Sequence, residues 1–179
     1  GGSLAGGVWQ AQAAGSSQDY YQTFTAVSAD RTTERLTTEQ TTDTSFASVG
    51  GQWTRPVARA TLIAGADFQR TESTVSELRY SFTGVQSGPF YLGGTERTSA
   101  MYARASLPVA DRLTVDLGGR VDWWRSEPND ATLPDKSVTF FSPRASIAWR
   151  QGRYALQGAV YHANRPPTLN ELHRGFRVG

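Results

Sequence analysis

Residues 112–124 alternate almost without error. Leu113, Val115, Leu117, Gly119, Val121 and Trp123 fall on one side, and Arg112, Thr114, Asp116, Gly118, Arg120 and Asp122 on the other. A period of two describes an extended strand with two faces of opposite chemistry. A chain built from such strands must form a sheet whose apolar face meets something other than water. Soluble sheets alternate as well, so recurrence and connection length carry the argument.

The pattern recurs. The periodicity predicts about seven strands, near 3–13, 47–54, 59–70, 97–107, 112–124, 139–149 and 154–165. In the third, Leu62, Ala64, Ala66 and Phe68 oppose Thr61, Ile63, Asp67 and Gln69. In the fourth, Met101, Ala103, Ala105 and Leu107 oppose Tyr102, Arg104 and Ser106. In the sixth, Phe141, Ala145, Ile147 and Trp149 oppose Ser142, Arg144 and Ser146, and in the last, Leu156, Gly158 and Val160 oppose Gln157 and Tyr161.

The connections alternate between short and long. Residues 55–58, 108–111 and 151–152 carry Pro, Asp or Gly suited to tight turns. Between them lie long segments rich in Thr, Ser, Glu, Asp and Gly, at 15–46, 71–95 and 127–137. Within the first, 20–27 and 34–42 read as strand extensions around a tip at 28–33. Short turns on one edge and long loops on the other describe a transmembrane barrel with short periplasmic turns and long extracellular loops. A β-sandwich has no such asymmetry.

The dimensions agree. Ten residue steps from Leu113 to Trp123, at roughly 3.3 Å each and a tilt of about 40°, give an apolar face about 25 Å tall. Trp123 lies at its long-loop end, with Trp53, Trp149 and Tyr154 beside the short turns. Amphipathic rings at both edges match the aromatic girdles of a membrane barrel.

Composition narrows the rest. The 179 residues are 38% hydrophobic, mean hydropathy is −0.46, and no long apolar run predicts a membrane helix. Barrel strands escape that test because they alternate. With no cysteine, a disulfide framework or thiolate zinc site is excluded. Lys136 is the only lysine among 18 basic residues, the rest being arginine, and net charge is +2. The arginines are scattered and form no basic stripe for nucleic acid. The sequence does not open on Met, nothing at Gly1 resembles a signal peptide, and the expectation is a piece of a longer protein.

A family resemblance rests on three segments. Arg165-Pro-Pro-Thr-Leu-Asn-Glu-Leu172 resembles the Arg-Ala-Pro-Thr-Leu-Asn-Glu-Leu segment of TonB-dependent receptors, and His173-Arg-Gly-Phe-Arg-Val-Gly179 continues the likeness. Gly119-Arg-Val-Asp122 resembles a Gly-Leu-Arg-Tyr-Asp strand of that family, and Ser142-Pro-Arg144 its Ser-Pro-Arg strand opening. Asn164 and Pro166 depart from the pattern, which commonly has an aromatic and Ala there. The resemblance implies a closed barrel of about 22 strands around an N-terminal plug, of which this chain supplies about a third of the wall. It marks Arg165, Pro167, Thr168, Leu169, Asn170, Glu171 and Leu172 as the family segment, and it places the plug domain outside residues 1–179.

Catalytic chemistry finds no support. His162 and His173 have no carboxylate spacing for zinc, and no nucleophile elbow or phosphate loop is present. No cofactor is expected. Alternation puts Arg104, Asp116, Arg120, Asp122, Arg144, Gln157, Tyr161 and Arg165 on the lumen side, facing the plug or an anionic substrate. The competing reading is a network of lumen ion pairs through Asp116 and Asp122 that holds the wall in register, and it is the favoured one.

The sequence therefore reads as all-β: a partial antiparallel transmembrane β-barrel, an open curved sheet in the outer membrane of a Gram-negative bacterium. The implied function is active import of a scarce large solute, such as a ferric siderophore or cobalamin. The implied partners are the lipid bilayer, the protein's own plug domain, TonB and a small ligand such as a metal chelate. The alternatives are a secreted β-sandwich that binds carbohydrate and a passive outer-membrane porin.

Overall fold

A computed structural model describes residues 1–173. Eight strands form one antiparallel sheet in chain order. They are β1 (Gly2–Leu4), β2 (Gly7–Val27), β3 (Glu34–Val57), β4 (Ala60–Tyr80), β5 (Gln86–Ala110), β6 (Leu113–Pro128), β7 (Lys136–Gln151) and β8 (Tyr154–Tyr161). A five-residue helix, α1 (Leu169–His173), follows. Each strand pairs with its sequence neighbour, as short turns dictate. Among the described residues there is no second sheet to make a sandwich.

Three expectations need correction. The first predicted strand is two, because Ala5 and Gly6 adopt φ of 49° and 71° and close a hairpin between β1 and β2. Positive φ at both central residues matches the twist of the flanking strands. The last strand ends at Tyr161 rather than running to residue 165. The long segments are mostly strand: β2 to β5 run 21, 24, 21 and 25 residues. The upper halves of β3 and β4 carry many Thr, a β-branched residue that favours the pleated backbone even without a core.

The two edges of the sheet differ. At the lower edge, two-residue turns sit at Ala5–Gly6, Ala58–Arg59, Asp111–Arg112 and Gly152–Arg153, slightly past the positions predicted for the last three. At the upper edge, the tips span residues 28–33, 81–85 and 129–135. Two tips share a local device. The Thr32 amide donates to Asp30 at 3.2 Å, and the Thr132 amide donates to Asp130 at 2.9 Å. These Asx-type turns satisfy backbone donors where the ladder stops.

Register fixes the faces. Residues directly opposite share a face, so Met101, Val121 and Phe141 lie in one row, and Ala105, Leu117 and Ala145 in another. Leu62, Met101, Leu117, Ile147 and Leu156 are all exposed on this side, with Val121 half-buried. Trp9, Trp53 and Trp149 share the same face near the lower edge, while Phe68 and Trp123 mark its upper limit. So large an exposed apolar surface marks an interaction face rather than an ordinary exterior.

The few buried strand side chains, Ala100, Trp124, Gln40 and Ser126, lie on the opposite face. There the segment after β8 folds back onto the sheet. The His162 amide extends the β7–β8 ladder by one bond, to Pro143 O at 3.0 Å; beyond it Leu169 is buried and α1 packs on β5.

Candidate functional site: the inner face of the sheet

Within the apolar band, alternation sends the polar residues of β3 to β8 to one face, and curvature then brings distant strands together. The Arg120 guanidinium on β6 reaches across β5 to Asp67 on β4 at 2.6 Å and also binds Asp122 at 2.8 Å. The Tyr102 hydroxyl on β5 reaches across β4 to Gln52 on β3 at 3.4 Å. Curvature shortens such reaches across an intervening strand on the concave side, which makes this the inner face. Gly65 lies beneath Tyr102, and a Cβ there would overlap the phenol. The missing side chain makes room for the crossing contact.

Lower on the same face, Arg104 pairs with Asp116 at 2.9 Å, and the Ser146 hydroxyl donates to the other oxygen of Asp116 at 2.9 Å. Charge-assisted bonds of this length fix side-chain positions. The groups are partly exposed, which limits their contribution to stability. What they supply is a polar wall with few mobile charges.

The sequence-derived site residues divide into four sets. Arg104, Asp116, Arg120 and Asp122 carry the ion pairs just described. Arg144, opposite Tyr161, lines a cleft of about 480 Å³ with Arg120, Trp124, His162 and Pro166. Gln157 takes its place on the same face, opposite Ala148. Arg165 leaves the wall because β8 has already ended, and it binds Glu171 at 3.0 Å.

The family segment has its own local logic. The Thr168 amide donates to Glu171 Oε2 at 2.8 Å, and the Glu171 amide donates back to Thr168 Oγ1 at 3.3 Å. Thr-x-x-Glu is a capping box, and it starts α1. Leu172 N closes the turn on Thr168 O. Pro166 and Pro167 cannot donate to a ladder, so the chain leaves the sheet before them. Residues 174–179, which carry most of the continuing resemblance, lie outside the described residues.

Sequence reasoning missed Glu96. One of its carboxyl oxygens is buried with no hydrogen-bond partner among the described residues. Glu96 stands above the apolar band on the inner face, in a cleft of about 490 Å³ shared with Thr168 and Leu169. Desolvation, with help from the charge of Glu171, pushes it up to about 7. The C-terminal segment lines the same cleft, with α1 packed on β5, and no local pattern announces that. Sequence also missed Asp67 as the second partner of Arg120, a contact set by register.

The model of the TonB dependent receptor-like β-barrel family matches residues 3–178. The chain belongs to that family. Among curated proteins, none matches the sequence. Solved TonB-dependent receptor structures share the fold. The ferripyoverdine receptor of the outer membrane of Pseudomonas aeruginosa, bound to ferripyoverdine, matches with 18% identity and a TM-score of 0.71 over 86% of this chain and 24% of that one. The copper transporter OprC matches with 15% identity and a TM-score of 0.71 over 89% of this chain and 27% of that one. A complex of FpvAI with pyocin S2 gives 19% identity and 0.71 over 87% and 24%. This TonB-dependent receptor chain thus spans about a quarter of the solved chains it resembles.

Proposed function

We propose that this chain is part of the barrel wall of an outer-membrane active transporter. The intact protein binds a scarce large solute outside the cell, such as a ferric siderophore or cobalamin, and admits it with energy delivered through TonB. The wall performs no covalent chemistry. Its outer face meets lipid, and its inner face meets the protein's plug domain and the passing solute. Arg104, Asp116, Arg120 and Asp122 form a pre-paired surface there, while Arg144 and Tyr161 border the cleft under the C-terminal segment.

The observation that carries this reading is the split between the two faces. One face is apolar, exposed and edged by aromatic rings, and the other holds paired charges. Family membership adds the transport class, and the cargoes of two structural relatives, ferripyoverdine and copper, favour a metal-bearing solute.

The test is deletion of the full gene, followed by growth on defined iron, copper and vitamin sources. Expected is loss of growth on one scarce source, restored by the gene only when TonB is present. Restoration without TonB, together with general leakage of small solutes, would indicate a passive pore instead.

A further inference from the structure

One feature of the outer face is unused by transport. Directly above the row that holds Phe68 and Trp123, the next row outward is Arg70, Arg97 and Arg125. These three arginines sit on adjacent strands β4, β5 and β6 as direct cross-strand partners. Like charges placed opposite each other in a sheet are ordinarily unfavourable. They are not withdrawn from solvent, for their side chains are 45%, 42% and 55% exposed.

Their carboxylate partners have a consistent position. Glu72 binds Arg70 at 2.8 Å, and Glu127 binds both Arg97 at 3.1 Å and Arg125 at 3.0 Å. Asp135, in a tip, binds Arg125 at 2.7 Å. Glu72 and Glu127 each lie two residues further from the apolar band than the arginine of their own strand. The outer face is therefore layered: apolar, then cationic, then anionic. At the lower edge, the corresponding outward arginine, Arg55, stands opposite Leu62 with no such row.

We infer that the Arg70–Arg97–Arg125 row binds the phosphate groups of lipid headgroups in the leaflet that borders the long-tip edge of the barrel. Each guanidinium has five donors, and the carboxylates occupy only part of them on the side away from the band. The remaining donors lie at the height where acyl chains end and headgroup phosphates begin. Planar guanidinium groups match phosphate geometry, and their weak hydration suits an interface. The carboxylates above hold the cations in place without standing between them and the lipid. This inference rests on the membrane reading of the outer face.

The test uses the full-length receptor in detergent, titrated with diphosphoryl lipid A and followed by native mass spectrometry. Expected is saturable binding that weakens by about tenfold or more in R70Q/R97Q/R125Q, as loss of three charge-assisted contacts implies. Binding should also weaken with dephosphorylated lipid, stay unchanged in R55Q, and resist excess inorganic phosphate. The variant E72Q/E127Q loosens the ion-pair ladder while keeping the cations, so it should bind lipid at least as well as wild type. Equal binding by the triple variant, or loss of binding in E72Q/E127Q, would make the row a structural ladder and overturn the inference. Displacement by inorganic phosphate would overturn it in favour of a free-anion site. If wild type and R55Q both fail to reconstitute into bilayers, the membrane reading itself falls, and the lipid site with it. Reconstitution without phosphate-dependent binding sinks the lipid site alone.

Discussion

The lower and upper halves of the same strands follow different rules. Below the row of Phe68 and Trp123, the outer face is Leu, Val, Ile, Ala, Met and aromatic, and the inner face carries paired charges. Above it, polar residues occupy both faces. Thr44 bonds Ser73 at 3.1 Å on the inner side. On the outer side, the Tyr21 and Tyr80 hydroxyls donate to the two oxygens of Glu39 at 3.0 and 2.6 Å. These bonds to Glu39 raise both phenols above their ordinary range. The backbone ladder runs unbroken through the boundary. The difference teaches that strand continuity here comes from main-chain pairing, whereas side-chain chemistry follows the surrounding medium.

The largest expected effect breaks the comparison at mid-band. Leu117→Arg should cost about 2–4 kcal/mol in the intact barrel, because a lipid-facing charge at that depth has no water. Ser45→Arg, on the same face of the upper half, should stay within about 0.5 kcal/mol. Thr114→Arg, on the inner face, should be milder than Leu117→Arg. Unfolding titrations in lipid rank the three, and equal costs at positions 114 and 117 would mean that the faces are not lipid and lumen.

The next effect tests the paired inner wall. Arg120 has two carboxylates, so Asp67→Asn or Asp122→Asn alone leaves one partner. The double variant should cost more than the sum of the singles, by about 1 kcal/mol, since it strands a half-buried cation. Strict additivity would show that the two acids act independently.

A smaller and local effect concerns pH above the boundary. Glu96 is raised to about 7 in the folded protein, so it holds its proton where the unfolded chain has lost it. The native state then binds more protons between its ordinary carboxylate value and about 7, and stability falls as pH rises through that window. Docking of the 165–172 segment should loosen from about pH 5 to 8. Hydrogen exchange of that segment, corrected for intrinsic rates, measures it. Glu96→Gln should flatten the dependence, and a dependence unchanged in that variant would move its origin to another group.

The smallest expected effect lies at the lower edge. Ala58 holds φ of 52°, a region that a Cβ disfavours. Ala58→Gly should stabilise the hairpin by about 0.5–1 kcal/mol, the strain relieved exceeding the added unfolded-state entropy. Unfolding titrations of the intact barrel would read a loss instead if the turn relaxes to negative φ.

Much of the wall was legible in the chain. Alternation alone assigned Leu62, Met101, Leu117 and Ile147 to one face and Arg104, Arg120 and Asp122 to the other, because the side-chain period of a strand is two whatever its neighbours are. The residue types of the turns placed the tight edge to within a few residues. The tip expected at 28–33 stands between the ends of β2 and β3. Other features were not legible. The length of β4 and β5 was hidden because the Thr- and Ser-rich upper half of β4 and the Gly- and Pro-containing upper half of β5 resemble loops in composition. Asp67 meeting Arg120, Tyr102 meeting Gln52, and the arginine row on β4 to β6 all depend on register and curvature, which bring together residues separated by dozens of positions in the chain. The cleft around Glu96 is made by β2 to β5 together with Thr168 and Leu169, which the path after Tyr161 brings there. By itself the sequence determined each strand's two faces and its turns, because those are properties of adjacent residues. Only the tertiary structure decided which charges share a row and which acid loses its water, because those are properties of strands held side by side.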